Sequence, residues 1–310
     1  MKRAAFTIDV DPLACYYAIH GLTQQPFTPD PILEHSIPRF LELFSQTGIS
    51  ATFFITGGVL SGEAEQNVLR MIASHGHEIA NHSFSHNYRL ILQDASHIEQ
   101  DLADNEYLIK QATGIDVVGF RAPGYNTNGA LVETLKQRGY LYDSSFFPSF
   151  SYYMAKWILI RLKRLRGKQP ASIISDFFDA FGLQEPYFVG NHIRQRTSSG
   201  SLLEIPITTL IPGIGVPFIG TSIIAFPEQL FRAILKCALK RDFLNIETHA
   251  IDLAAVEDSR FYRPLLQVQP DMRYSLDRKL QRLQKVIVSL KESGFKFFTM
   301  RDIALIQKDR

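Results

Sequence analysis

The sequence predicts an α/β protein closed into a barrel, on three observations. Short apolar strands alternate with amphipathic helical stretches along most of the 310 residues. About seven such alternations recur, a number that favours a barrel over an open sheet. The first strand ends in two aspartates, at the kind of position where such barrels collect their chemistry.

That strand, 4–9, runs into "FTIDVDP" at 6–12. Side chains two apart on a strand share a side, so Asp9 and Asp11 stand next to each other, with about 7 Å between α-carbons. Two carboxylates that close repel unless a cation or a shared proton stabilises them; an Asp turn with Pro12 is the other reading. Further strands are read at 50–55 (SATFFI), 78–81, 117–120 (VVGF), 203–208 (LEIPIT), 243–248 (FLNIET) and 296–299 (KFFT). Between them, "DASHIEQDLADNEYLIKQATG" opens on the N-cap Asp94 and stops at Gly114. "SLDRKLQRLQKVIVSLKESG" sets Leu276, Leu280, Leu283, Ile287 and Leu290 on one face and stops at Gly294. From Phe146 to about Gly200 no clean β/α unit occurs. There "KWILIRLKRLRGK" packs Lys156, Arg161, Lys163, Arg164, Arg166 and Lys168 among Trp157 and aliphatic residues, and the apolar stretch 210–226 follows, broken by Pro212 and Pro217. The span 146–226 is read as an insertion within a single 1–310 domain.

Composition narrows the partners. At 45% hydrophobic and 21% charged residues, with net charge +2, the chain is ordinary for a globular protein and gives no reason to expect nucleic acid. Cys15 and Cys237 are too few for a disulfide framework and fit a reducing compartment. Asp9 and Asp11 fall where a signal peptide needs an apolar run, and no stretch reads as a spanning helix, so a cytoplasmic location is expected.

A second cluster, "GHEIANHSFSH" at 76–86, places His82 and His86 four apart, which on a helical turn is one face. Alone this marks a solvated helix face as readily as a metal site. Joined to the D-x-D strand end, it predicts two histidines and one carboxylate around a divalent metal with open positions, the catalytic type of coordination. His75 and His77 are read as loop residues, and His20, His35, His97 and His192 as surface residues.

"FTIDVDP", "GHEIANHSFSH", "GFRAPGYN", "YLYDSSFFP" and "NIETHAIDL" occur in the order and rough spacing of the five motifs of the polysaccharide deacetylases. The chain thus resembles carbohydrate esterase family 4, the nodulation-type chitooligosaccharide deacetylase domain, over roughly 4–145 and 243–300. The resemblance implies a distorted (β/α)7 barrel that removes N-acyl groups from amino sugars with one divalent metal, zinc first, with cobalt, nickel or manganese as alternatives. It implies Asp9 as catalytic base, Asp11, His82 and His86 as metal ligands, and Arg121 as the holder of the base. It implies Asp143 as the acid that orients a catalytic histidine, and His249 as the general acid. Glu247 and Asp252 flank His249 as further hydrogen-bonding candidates. Two positions depart from the pattern. Val10 separates the usual acidic pair, a form similar to intracellular and lipid-sugar branches of the family. Gly124 stands where the family commonly has tyrosine, with Tyr125 one further on, so the oxyanion hole is assigned to the Gly124 N–H.

These roles agree with the chemistry of amide hydrolysis. A metal lowers the pKa of water towards ~7, a carboxylate takes its proton, and a histidine protonates the departing amine. A cytoplasmic member is expected to act on a precursor: an amino sugar on a polyprenyl phosphate or a nucleotide. The basic run from Lys156 then reads as a surface resting on the anionic inner face of the membrane, or as a core helix with a solvated flank. An oligosaccharide or peptidoglycan deacetylase and an inactive carbohydrate-binding relative are the alternatives; all five motifs are filled, against the last.

Overall fold

In the computed structural model, residues 1–23, 29–60, 62–165, 167, 172–174 and 176–308 are described. The first strand, β1 (Lys2–Val10), is buried from Ala4 onward. A strand covered on both faces reads as an apolar run, and that is the mark of a parallel sheet wrapped in helices. The elements that follow are α1 (Leu13–His20), α2 (Ile37–Thr47), β2 (Thr52–Ile55), α3 (Glu63–Ser74), β3 (Glu78–Asn81), α4 (Ala95–Thr113), β4 (Gly119–Phe120), α5 (Gly129–Gln137) and β5 (Tyr142–Asp143). Next come α6 (Phe150–Leu165), β6 (Tyr187–Val189), β7 (Arg196–Thr197), β8 (Leu203–Glu204), β9 (Thr209–Leu210) and β10 (Val216–Pro217). The chain ends with α7 (Gly220–Ala225), α8 (Glu228–Ala238), β11 (Phe243–His249), α9 (Leu276–Glu292), β12 (Phe295–Phe297) and α10 (Met300–Lys308).

Seven strands pair in parallel in the order β11-β1-β2-β3-β4-β5-β8. The ring closes between the segment after β8 and β11: the Thr208 N–H donates to Asn245 O at 3.0 Å, and the Asn245 N–H donates to Thr208 Oγ1 at 2.7 Å. β12 pairs with Lys2–Ala4 of β1, β6 and β7 extend the sheet beyond β8 as antiparallel strands, and β9 pairs with β10. The α/β barrel expected from the alternation is therefore present. β8 is one of its seven strands, so only part of 146–226 lies outside the barrel.

The expected caps hold. Asp94 accepts from the His97 N–H at 2.9 Å, and Gly114 and Gly294 end their helices at φ 74° and 86°. Two readings are corrected. His82 and His86 do not sit on a helical turn: Ser83 and His86 have φ of 70° and 50°, and the segment is a loop. His77 is buried, with its ring 5.4 Å from that of Phe44 and 5.5 Å from that of Phe53.

Helix α6 lies against the end of the barrel that holds the site. Tyr153 and Lys156 face inward; Lys156 Nζ donates to Gly124 O, and Lys163 Nζ donates to Ile19 O at the end of α1. Trp157, Ile158, Leu159, Leu162 and Leu165 are exposed. Arg166 and Lys168 of the basic run lie outside the described residues. No described helix is long and apolar enough to cross a membrane.

Candidate metal centre

The site is assembled from the C-terminal ends of the parallel strands. β1 ends at Asp9 and Asp11, β3 leads into His82, β4 into Arg121, and β11 ends at His249. In register, Asp9 faces His249 across β1 and β11.

Asp11 Oδ1 lies 2.8 Å from His86 Nε2 and 3.3 Å from His82 Nε2, and all three residues are buried. Their ligating atoms fall within 4.8 Å of one another. His82 Nδ1 donates to Arg121 O at 2.8 Å, which leaves Nε2 directed to Asp11 as a ligand nitrogen must be. The loop carrying the histidines is held by α4. Asp101 accepts from the Phe84 and Ser85 N–H groups at 2.9 and 3.0 Å, and Asn105 Nδ2 donates to Ile55 O and Ser83 O at 2.7 and 3.1 Å. Burial alone would raise the Asp11 carboxyl, yet the two imidazoles hold it well below the usual carboxylate range. Burial opposes charge on His86, yet Asp11 pushes it up to about 9. A fully buried carboxylate facing two imidazole nitrogens is a donor set that a divalent cation fits.

Asp9 is fixed differently. Arg121, with no exposed surface, donates through Nη1 to Asp9 Oδ1 at 2.6 Å, through Nε to Ser144 O at 2.9 Å and through Nη2 to Thr7 Oγ1 at 3.1 Å. Asp9 Oδ2 is 3.9 Å from His82 Nε2. His249 Nε2 lies 3.8 Å from Asp11 Oδ2. Its Nδ1 is 2.9 Å from Glu247 Oε1, and its main-chain N–H donates to Asp252 Oδ2 at 2.9 Å. Burial opposes charge on His249, but Glu247 lifts it well above its ordinary value. Asp9, Glu247 and His249 form a second group of ligating atoms within 4.8 Å; there the Arg121 guanidinium already neutralises Asp9, which makes it the poorer cation site.

Residues 25–142 match the family model described as polysaccharide deacetylase. That span is similar to a polysaccharide deacetylase domain. The matched span includes His82, His86 and Arg121; Asp9, Asp11, Asp143 and His249 lie beyond it. The chain is 32% identical over 144 residues to the peptidoglycan deacetylase of Helicobacter pylori, covering 46% of this chain and 48% of that one. It is 30% identical over 112 residues to the peptidoglycan-N-acetylglucosamine deacetylase of Bacillus cereus, covering 36% and 49%. The chain thus spans about half the length of these curated relatives. A Mycobacterium smegmatis structure assigned to the polysaccharide deacetylases superposes with a TM-score of 0.59 at 18% identity, over 99% of this chain and 91% of that one, which shows a common fold. A family 4 acetyl xylan esterase from Clostridium thermocellum, solved with a cobalt ion, superposes at 0.50 with 16% identity over 98% and 91%.

One assignment does not match the geometry. Asp143 does not orient His249. It is fully buried, accepts from Ser145 Oγ, and is paired with the buried Glu204; burial raises both carboxyls, and the Asp143 charge raises Glu204 further. Glu247 is the residue against His249, two positions back on the same strand and so on the same side. Gly124, at the position commonly tyrosine, has φ 62°, and a Cβ there would come within 2.5 Å of Tyr88 Cδ1. The Tyr88 ring fills that space and stands 5.1 Å from the His86 ring. Tyr125 also has φ 62° and donates its N–H to Ala122 O at 2.9 Å, while the Gly124 N–H makes no hydrogen bond among the described residues. Glu204, Tyr88 and Lys156 were not singled out as site residues from sequence; none belongs to a motif with a spacing of its own.

Proposed function

We propose that the chain is a metal-dependent amidohydrolase that removes an N-acyl group, acetyl or formyl, from an amino sugar, with 1–310 acting as one catalytic unit. The observation that carries this is the meeting of Asp11, His82 and His86 within 4.8 Å, with Asp9 3.9 Å from His82 and His249 3.8 Å from Asp11. Asp11, His82 and His86 would hold the ion, zinc in the first place, with cobalt, nickel or manganese as substitutes. A divalent ion held there supplies Lewis acidity, which activates water at neutral pH and polarises an acyl carbonyl.

The chain's own residues do the rest. Arg121 occupies Asp9 Oδ1, so Oδ2 is the oxygen that takes a proton from the attacking water. His249, protonated against Glu247, gives a proton to the departing amine. The Gly124 N–H is available to the acyl oxygen as it gains charge.

Two substrate classes follow. The exposed apolar residues of α6, interleaved with Arg161 and Arg164, support a lipid-linked or nucleotide-linked precursor handled at the inner face of an anionic membrane. The peptidoglycan deacetylases among the relatives support an oligosaccharide or peptidoglycan chain.

The test uses protein stripped with a chelator and reloaded with each metal in turn. Acetate and formate release are measured from soluble amino-sugar oligomers and from lipid extracts. Zinc-dependent release that disappears in His82→Ala and His86→Ala supports the proposal; release indifferent to metal or to both substitutions overturns it.

A further inference from the structure

Two described lysines, Lys156 and Lys279, are buried and cap backbone carbonyls. Lys279 donates to Ala254 O at 2.6 Å and has the carboxyls of Asp252 and Asp271 acting on it. Lys156 has no such company. Its residue is 9% exposed, its Nζ donates to Gly124 O at 3.0 Å, and the Tyr152 ring lies 5.4 Å away. Among the described residues no carboxylate pairs with it. Glu247 and Asp9 act on the neighbouring Tyr125, and Glu247 on Tyr152, but neither balances Lys156. Burial pulls its ammonium down to about 7 with nothing to offset the loss of water.

An ammonium with three donors uses one on a carbonyl here, and burying a charge without a counter-charge is unfavourable. Capping Gly124 O accounts for one bond and not for the missing counter-charge. The position is also particular. Gly124 packs on Tyr88, which packs on His86, so a chain of three contacting residues links Lys156 to the proposed ion. α6 carries it there from outside the barrel, with its other end tied to α1 through Lys163 and Ile19 O.

We propose that Lys156 binds an anionic group of the substrate, a carboxylate or phosphate borne close to the N-acyl group. The inference rests on the amidohydrolase reading for the nature of the substrate, and its test is therefore made on metal-stripped protein. Binding of N-acetylglucosamine, N-acetylglucosamine 1-phosphate and N-acetylmuramic acid is measured by calorimetry. Charge-assisted hydrogen bonds lead us to expect that at least one anionic sugar binds about tenfold or more tightly than the neutral one. Lys156→Gln, which retains a donor for Gly124 O, should bring the three within about threefold, and Lys156→Arg should keep the preference. A preference for the phosphate indicates a nucleotide- or prenyl-linked sugar, and one for the carboxylate a muramic-type residue. No preference in the wild type, no measurable binding of either anion, or a parallel loss of all three ligands in Lys156→Gln with unchanged melting temperature each overturns the proposal. Hydrolysis of all three sugars by the zinc-loaded protein is scored separately. Its absence condemns the amidohydrolase reading and leaves the anion preference decided on its own data.

Discussion

Replacing Arg121 by Met strands a buried carboxylate. Arg121 is fully buried and Asp9 nearly so, 2.6 Å apart, and the guanidinium also serves Ser144 O, Thr7 Oγ1 and Ser144 Oγ and lies 4.1 Å from the Phe54 ring centroid. Burial lowers the proton affinity of Arg121, but Asp9 and Glu247 more than restore it. Removing one partner of a buried pair costs about 3–5 kcal/mol because the other charge stays buried alone. For a chain of this size that lowers Tm by about 5–8 °C. Asp9→Asn keeps the shape and leaves the Arg121 guanidinium with Ser144 O, Thr7 Oγ1 and Ser144 Oγ as acceptors, so it costs less, about 1–3 kcal/mol. The double variant buries no unpaired carboxylate, so it should be less destabilised than the sum of the singles by up to about 3 kcal/mol. Urea unfolding of the four metal-stripped proteins, checked by calorimetry, measures this coupling. Additivity within about 0.5 kcal/mol, or an Arg121→Met cost under about 1 kcal/mol, would refute the claim that Arg121 and Asp9 compensate each other.

Asp9→Asn should retain the metal and lose roughly 10²–10⁴ in rate, the ordinary worth of general base catalysis; loss of metal instead would mean the two aspartates are reversed. Glu247→Gln should lower kcat by a similar ~10²–10⁴ with metal content unchanged, and an unaffected Glu247→Gln beside an inactive Asp143→Asn would restore the sequence assignment. Burial holds the His77 imidazole down at about 4, against about 6.5 in the unfolded chain. The unfolded chain therefore takes the proton first: stability should be level above about pH 6.5 and fall between there and about 4, by at most ~3 kcal/mol. Denaturant midpoints across that range should lose part of this slope in His77→Gln; an identical slope removes His77 from the account. Wild-type protein should bind anionic vesicles at low salt and leave them at high salt, each engaged basic residue adding about 1 kcal/mol. Trp157→Ser with Leu159→Ser should weaken that binding, and a wild type that ignores such vesicles removes the support for a lipid-linked substrate.

The parts of the fold fixed by local physics were legible. β1, β2, β3 and β11 declare themselves by buried apolar runs, and α4 and α9 by their caps and glycine stops. β5, with two residues, and the β6–β7 hairpin are too short for a periodic signal. The spacing of His82 and His86 suggested one face of a helix. The residues do converge, but through a loop whose shape depends on left-handed Ser83 and His86 and on Asp101 and Asn105 from α4, contacts that only the tertiary structure supplies. The partner of His249 was within reach of the sequence: Glu247 shares its side of the strand by the same two-residue rule that joins Asp9 to Asp11. The resemblance points to Asp143, and nothing local in the sequence shows that Glu204 from β8 takes it up. Lys156 was hidden in a basic run, where nothing local separates the one inward lysine from the exposed charges around it.

The most direct test of the central claim is where the metal sits. Anomalous scattering from a zinc-loaded crystal should give a single peak about 2.0–2.2 Å from an Asp11 carboxylate oxygen, His82 Nε2 and His86 Nε2, with remaining positions open. A peak ligated by Asp9, Glu247 and His249, or no peak at either group, would contradict it.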